Sequence, residues 1–177
     1  MPTEIFAWDG KAAPRQITHN NDWLKEVKLA PVQEIAFKSK DGTEVHGFLV
    51  KPPNGGAHLP AILRLHGGPQ SQYANEFMFE WQVLAAHGYA VVASNPRGST
   101  GRGTKYCAGI YANWGSVDVQ DVLAAVDYAV KAGVADPNRL GVGGWSYGGM
   151  LTNYTIANDT RFKAATSGAS ISDILGG

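Results

Sequence analysis

The sequence lacks the features that mark secreted, membrane and nucleic-acid-binding proteins. Its one cysteine, Cys107, cannot form a disulfide within the chain, so nothing indicates an oxidising compartment. The 15 basic and 15 acidic residues balance to a formal net charge of zero, which gives no electrostatic reason to expect nucleic acid or an anionic membrane surface as a partner. No apolar run has the length of a transmembrane helix, and the first residues show no signal-peptide pattern. We therefore expect a cytoplasmic protein, and the sequence leaves open whether a leader precedes Met1.

Two further absences concern chemistry. The sequence contains no cluster of His, Cys, Asp and Glu with metal-ligand spacing and no phosphate-binding Gly-x-x-x-x-Gly-Lys loop, so we expect neither a metal nor a cofactor. The 177 residues are 44% hydrophobic and 17% charged, which is typical of a globular protein with a substantial core.

Strand and helix patterns alternate from residue 32 onward. Strands are predicted at 32–39, 43–50, 61–65, 89–94, 139–143 and 162–166, and helices at 75–87, 116–132 and 150–157. Such alternation predicts an α/β fold with a mostly parallel sheet, which begins with an antiparallel hairpin. A second predicted hairpin, within residues 1–20, has no partner sheet nearby in the sequence.

The most informative stretch is residues 144–149, with the sequence Gly-Trp-Ser-Tyr-Gly-Gly. It lies between a predicted strand and a predicted helix, where the Gly-x-Ser-x-Gly spacing forms the nucleophile elbow of α/β-hydrolases. The turn is so tight that we expect Gly144 and Gly148 to leave no room for a Cβ. Ser146 is therefore the candidate nucleophile, and the Tyr147 N–H lies at the start of the helix, where an oxyanion is favoured.

A second motif, His-Gly-Gly-Pro at residues 66–69, follows the strand at 61–65. α/β-Hydrolases place a loop of this type at the same point, and its glycines let backbone N–H groups approach a developing oxyanion. We therefore predict that the Gly68 and Tyr147 N–H groups form the oxyanion hole. We expect the side chain of His66 to be structural.

The general base is missing from the sequence. α/β-Hydrolases place their triad in the order serine, acid, histidine, yet no histidine follows Ser146. Asp159 resembles a helix-end turn residue, and Asp173 lies on a loop with no histidine to orient, so neither is assigned as the triad acid. All five histidines precede the serine, at positions 19, 46, 58, 66 and 87.

Four motifs in one order carry a family resemblance. They are residues 66–69, residues 95–101 (Asn-Pro-Arg-Gly-Ser-Thr-Gly), Trp114-Gly115 followed by Asp118 and Asp121, and residues 144–149. Over nearly its whole length the chain resembles the prolyl oligopeptidase family of serine peptidases. Within that family it is most similar to acylaminoacyl-peptidases and dipeptidyl aminopeptidases. Asp118 and Asp121 are interpreted as structural residues at a helix start.

The resemblance implies a division of the chain. Residues 1–20 would be the last strands of a β-propeller, residues 21–31 a linker, and residues 32–177 the first half of an α/β-hydrolase catalytic domain. It implies Ser146 as the nucleophile and Gly68 and Tyr147 as the oxyanion donors, with the family's acid and base beyond residue 177. The expected substrate is a peptide, cleaved to release dipeptides or N-acyl amino acids. Taken alone, the chain should have little or no peptidase activity.

Two other functions stay open at this point. One is a serine esterase on the same fold, and the other is a non-catalytic fragment, which only the missing base supports. Homo-oligomerisation is also left open. Arg102 stands where relatives of this type often carry an aromatic residue.

Overall fold

The computed structural model describes residues 2–173. Its strands are β1 (Phe6–Ala7), β2 (Arg15–Gln16), β3 (Val32–Lys38), β4 (Glu44–Val50), β5 (Leu59–Leu65), β6 (Ala90–Asn95), β7 (Ala135–Trp145) and β8 (Phe162–Gly168). Its α-helices are α1 (Phe79–Ala86), α2 (Thr104–Cys107), α3 (Val117–Lys131) and α4 (Tyr147–Asn158). Two short 3₁₀ helices cover Asp22–Glu26 and Ala108–Ile110.

Six of the strands form one mixed sheet in the order β3-β4-β6-β5-β7-β8. β3, β4 and β6 pair antiparallel, whereas β6, β5, β7 and β8 are parallel to one another. The antiparallel hairpin β3-β4 therefore leads into a parallel sheet, as the sequence predicts. This is the N-terminal half of an α/β-hydrolase sheet.

Helices cover both faces of this sheet. Helices α3 and α4 pack on one face, where Val122 and Leu151 contact strand residues such as Leu63 and Val142 in a single buried cluster. Helix α1 lies on the other face, where Trp81 packs against Phe48. The predicted apolar stripe of α3 is confirmed, because its members are buried or packed against the core: Val119, Val122, Leu123, Val126 and Val130.

Several element boundaries differ from the prediction. Helix α1 begins at Phe79 and not at residue 75, because Met78 is still extended with φ −102° and ψ 100°. Strand β8 continues two residues further than predicted, since Ser167 and Gly168 pair with the end of β7. The predicted turn at residues 136–138 lies within the bounds of β7 as a bulge, because Leu59 pairs with Ala135 while Ala61 pairs with Leu140.

The start of α3 is held by an aspartate and not by its N-cap residue. Ser116 occupies the N-cap position, but its hydroxyl donates to the Asn113 carbonyl at 2.7 Å and does not cap the helix. The Asp118 carboxylate instead accepts the Gly115 N–H at 3.1 Å. Asp118 also lies in the first turn, where the helix dipole favours negative charge.

The first 30 residues are organised separately from the large sheet. β1 and β2 form their own two-stranded antiparallel sheet, which leaves Phe6 and Trp8 exposed. The chain reaches the large sheet through Ala30, whose N–H donates to Gln82 of α1 at 2.7 Å. No helix among the described residues combines the length and the apolar character that crossing a bilayer requires.

Candidate active site

Three loops meet at one edge of the sheet because β6, β5 and β7 are parallel neighbours whose carboxyl ends point the same way. β5 is followed by residues 66–69, β6 by residues 96–103, and β7 by Ser146. Three of the four motifs singled out in the sequence therefore lie at this edge, which is where open α/β sheets form their binding crevices.

The elbow, defined here as residues 144–149, is built by close backbone approach. A Cβ on Gly144 would lie 2.4 Å from the Gly148 carbonyl oxygen, and one on Gly148 would lie 2.2 Å from the Leu65 oxygen. No Cβ fits at such distances, as the motif predicts. Ser146 is exposed and has φ 59° and ψ −122°, a conformation that costs free energy in a non-glycine residue. The surrounding packing holds that conformation and presents Oγ to solvent.

The loop at residues 66–69 lies directly beside the serine. A Cβ placed on Gly67 would be 3.4 Å from Ser146 Cβ and 3.9 Å from Ser146 Oγ. Gly68 has φ +125° and precedes Pro69 through a cis peptide bond. Tyr147 is the first residue of α4, so its N–H has no acceptor within the helix. The two predicted oxyanion donors thus belong to the two segments that adjoin Ser146.

His66 is tied into this loop and not to the serine. Its Nδ1 lies 2.7 Å from the Gly67 carbonyl oxygen, which can only accept, so Nδ1 carries the proton. Its Nε2 lies 2.9 Å from Ser99 Oγ and accepts a hydrogen bond from that hydroxyl. Burial lowers the pKa of His66 below its ordinary value, which favours the neutral ring that these contacts need. The side chain therefore connects the loop at residues 66–69 to the loop after β6.

The remaining candidates for acid and base have other partners. His46 lies 3.0 Å from Glu44, and His87 lies 2.8 Å from the Val83 carbonyl oxygen. Asp159 is the C-cap residue of α4, and its carboxylate accepts a hydrogen bond from Arg161 Nε at 2.9 Å. Among residues 2–173, no imidazole forms a hydrogen bond with Ser146, and no three His, Cys, Asp or Glu side chains lie close enough together to hold a metal ion.

Sequence reasoning missed the contact that holds Tyr147. The Tyr147 hydroxyl donates to the fully buried Asp118 carboxylate, and its ring packs edge-to-face on Trp114 with centroids 5.3 Å apart. Burial, with the Asp118 charge second, raises the pKa of Tyr147 above its ordinary value. A signal was available, because Asp118 lies one turn before Val122 on the apolar stripe, and a carboxylate on a buried stripe needs partners.

A second buried aspartate organises the loop after β6. Asp121 accepts Arg97 Nε at 2.9 Å, Arg97 Nη2 at 2.7 Å and the Ser39 hydroxyl at 2.5 Å. Arg97 Nη1 also lies 2.5 Å from Asp41 in the β3-β4 turn. We call these four residues the Arg97 cluster. It joins three segments of the chain around one guanidinium, and it raises the pKa of Arg97.

A cleft of about 990 Å³ opens beside the candidate oxyanion loop. Its walls are mostly apolar and aromatic, and they include Gly68, Pro69, Ile110, Trp114 and Tyr154. A cleft of this composition suits an apolar group of a bound ligand.

Known proteins are similar to this chain in sequence and in fold. The chain is 41% identical over 176 residues to the uncharacterized peptidase YuxL of Bacillus subtilis (strain 168), a match that covers 97% of the chain and 27% of that protein. It is 31% identical over 179 residues to dipeptidyl-peptidase 5 of Porphyromonas gingivalis, covering 97% of the chain and 26% of that protein. The structure of Pyrococcus horikoshii acylaminoacyl peptidase superposes with a TM-score of 0.86 at 35% identity, covering 97% of this chain and 28% of that one.

The chain therefore spans about a quarter of the length of these relatives. The sequence pattern of the prolyl oligopeptidase family matches residues 75–176, which include the loop after β6, helix α3 and the whole elbow. Because this match, the fold and the relatives agree, the chain belongs to the prolyl oligopeptidase family.

Proposed function

We propose that the protein is a serine-type peptidase in which Ser146 is the nucleophile. One observation carries the proposal: an exposed serine is held at φ 59° between a strand and a helix, with the backbone of Gly67 packed against it. A serine in this setting presents Oγ to a bound carbonyl group, while N–H groups from two sides face the oxygen of that carbonyl.

The proposed reaction passes through an acyl-enzyme. Ser146 Oγ attacks the scissile carbonyl carbon, and the Gly68 and Tyr147 N–H groups stabilise the negative oxygen of the tetrahedral intermediate. During the attack the Oγ proton passes to the general base. The C–N bond then breaks, the amine leaves with that proton, and water hydrolyses the acyl-enzyme. Residues 1–177 supply neither the acid nor the base in this proposal. A longer polypeptide supplies both, which fits the 27% share of the B. subtilis relative that the chain covers.

The proposed substrates are short peptides from which dipeptides or N-acyl amino acids are released. The relatives named dipeptidyl and acylaminoacyl peptidases support this substrate class. The apolar cleft beside Gly68 is in place to receive an apolar side chain of such a peptide.

The proposal includes the domain division. Residues 1–20 are assigned to the end of a β-propeller, residues 21–31 to a linker, and residues 32–177 to the catalytic domain. Two observations support it: the separate β1-β2 sheet with its exposed aromatic residues, and the start of the six-stranded sheet at Val32.

A fluorophosphonate probe tests the nucleophile in the longest natural polypeptide that contains these residues. We expect the probe to label the protein, Ser146→Ala to abolish labelling, and Ser170→Ala to leave it unchanged. Ser170 is a suitable control because it is a second serine beside the elbow: a Cβ placed on Gly149 would lie only 3.0 Å from the Ser170 Cβ. A folded protein that stays unlabelled would identify a non-catalytic member of the family.

Paired substrates separate a peptidase from an esterase. We expect turnover of p-nitroanilides of a dipeptide or an N-acetyl amino acid, in addition to a p-nitrophenyl ester. Turnover of the ester alone would favour an esterase.

Residues 1–177 expressed alone should hydrolyse the same anilides with kcat/KM at least about 10⁴-fold lower than the longer polypeptide, because a serine without its base keeps only binding and oxyanion contributions. Circular dichroism should first establish that the short chain is folded. Normal turnover by a folded short chain would contradict the assignment of the base to a longer polypeptide.

A further inference from the structure

Asp118 is a fully buried acidic residue beside the elbow, and its hydrogen-bond partners come from two segments of the chain. Its carboxylate accepts the Gly115 N–H at 3.1 Å and the Val119 N–H at 3.0 Å, both at the start of α3. The third donor is the Tyr147 hydroxyl, from the residue that follows Ser146. Burying a carboxylate is costly unless such partners satisfy it. Asp118 therefore joins the N-terminus of α3 to the N-terminus of α4.

The segment around Asp118 also holds the elbow by packing. Trp114 contacts the Tyr147 ring, and Gly115 lies so close to Tyr154 of α4 that a Cβ there would be 2.4 Å from its Cδ1. Tyr147 is 3% exposed, so its ring has almost no contact with solvent. Residues 114–118 therefore contact the first two turns of α4 through one hydrogen bond and two ring contacts.

The side chain of Tyr147 is bonded to Cα, and the N–H belongs to the adjacent backbone nitrogen. A contact that fixes the side chain therefore also restricts the direction of the N–H. Ser146 sits in an unfavourable backbone region, and such a conformation persists only where neighbours over-determine it. An anchor on the very next residue supplies that restraint. An error of about 1 Å in a catalytic group can cost about 10²-fold in rate.

We propose that Asp118 is a positioning residue for catalysis: through the Tyr147 hydroxyl it sets the direction of the Tyr147 N–H and the conformation of Ser146. This inference rests on the proposed function, in which that N–H is an oxyanion donor. Asp118 itself contacts no substrate in this proposal. Its effect should therefore appear in the transition state and not in substrate binding.

Asp118→Asn and Tyr147→Phe test the proposal in the longest natural polypeptide. Both variants keep the Tyr147 N–H, and each removes one partner of the same contact. We expect kcat, counted per serine titrated by a fluorophosphonate, to fall about 10- to 100-fold in each, with KM nearly unchanged. The double variant should be no slower than the slower single variant, because both changes break one interaction.

A tetrahedral inhibitor gives a second measurement. A peptide boronic acid should lose affinity in both variants in parallel with kcat, whereas a competitive product peptide should bind as before. Val126→Ala is the control, because Val126 is a buried apolar residue of α3 that lies eight positions beyond Asp118 and has no hydrogen-bonding side chain. It should lower the melting temperature and leave kcat per titrated serine unchanged.

The outcomes separate this inference from the proposed function. If the wild-type protein is not labelled and has no turnover, the proposed function fails. If the wild-type protein is active but Asp118→Asn and Tyr147→Phe keep wild-type kcat and inhibitor affinity per titrated serine, Asp118 is only structural and the positioning role is overturned. Should Asp118→Asn fail to fold, Tyr147→Phe alone decides between the two.

Discussion

The elbow and the Arg97 cluster are both anchored by buried aspartates of α3 that lie within one helical turn of each other, yet their chemistry differs. Asp118 holds the elbow through the Tyr147 hydroxyl and is itself held by two backbone N–H groups at the start of α3. Asp121 holds the loop after β6 through the guanidinium of Arg97. A hydrogen bond to a charged group contributes about 1.5–3 kcal/mol, whereas removing one partner of a buried ion pair leaves a charge that costs about 3–5 kcal/mol. Damage to the cluster should therefore appear mainly as lost stability, and damage to the elbow as lost activity.

The largest expected effect comes from Gly148→Ala in the elbow. The new Cβ would lie 2.2 Å from the Leu65 carbonyl oxygen and 2.8 Å from that of His66, so it would push the candidate oxyanion loop away from Ser146. We expect kcat/KM to fall by at least about 10²-fold, the cost of losing one oxyanion donor. Anilide turnover per folded molecule measures this.

Gly133→Ala is the matched control for that substitution. Gly133 has φ +71°, but a Cβ there would meet nothing within 4 Å. The change should therefore cost about 1–2 kcal/mol of unfolding free energy through backbone strain and leave kcat/KM unchanged. Equal activity losses in the two variants would show that close approach at the elbow is not what matters.

Arg97→Ala tests the other side of the comparison. It leaves the carboxylate of Asp121, which is 0% exposed, without its cationic partner. We expect the free energy of unfolding to fall by about 3 kcal/mol, measured in urea, while kcat per titrated serine stays close to that of the wild type. The free energy of unfolding of Arg97→Lys should lie between those of the wild type and Arg97→Ala, because lysine keeps the charge and loses the forked geometry. A large loss of kcat with unchanged stability would contradict the division of roles.

Alkaline pH should act on the elbow. The pKa of Tyr147 is raised by burial and by Asp118, so the neutral phenol is favoured in the folded state. Its contribution to stability is complete below the unfolded tyrosine value of about 10 and is lost as the pH rises above it. Tyr147→Phe should therefore show a shallower loss of unfolding free energy above pH 10 than the wild type. Parallel curves would indicate that the phenol titrates normally.

Acidic pH should act on the Arg97 cluster, with the smallest effect. The Thr43 N–H and then Arg97 lower the pKa of Asp41 to about 2, against an unfolded value of about 3.9. Its stabilisation is present above pH 4 and is lost as the pH falls from about 4 to 2. Asp41→Asn should flatten the unfolding curve slightly in that window. No change in slope would show that exposure screens this ion pair.

Local patterns predicted the architecture well. The order of strands and helices, the α/β-hydrolase fold and the apolar stripe of α3 are confirmed, because each depends on residues close together in sequence. Helix α1 shows the limit of such patterns: its apolar spacing extends back to Phe77, but Met78 is extended and the helix starts after it. The catalytic assignment of Ser146, Gly68 and Tyr147 stays a prediction.

The form of the elbow follows from local sequence, because Gly144 and Gly148 stand at the two positions on either side of Ser146 where a Cβ would collide with the backbone. The contacts that hold that turn come from distant parts of the chain and become visible in the folded structure. Asp118 and Tyr147 are 29 positions apart, and Arg97 and Asp41 are 56 apart. No local pattern specifies such pairs, because they form only when the sheet brings distant segments together and burial makes each polar group require a partner.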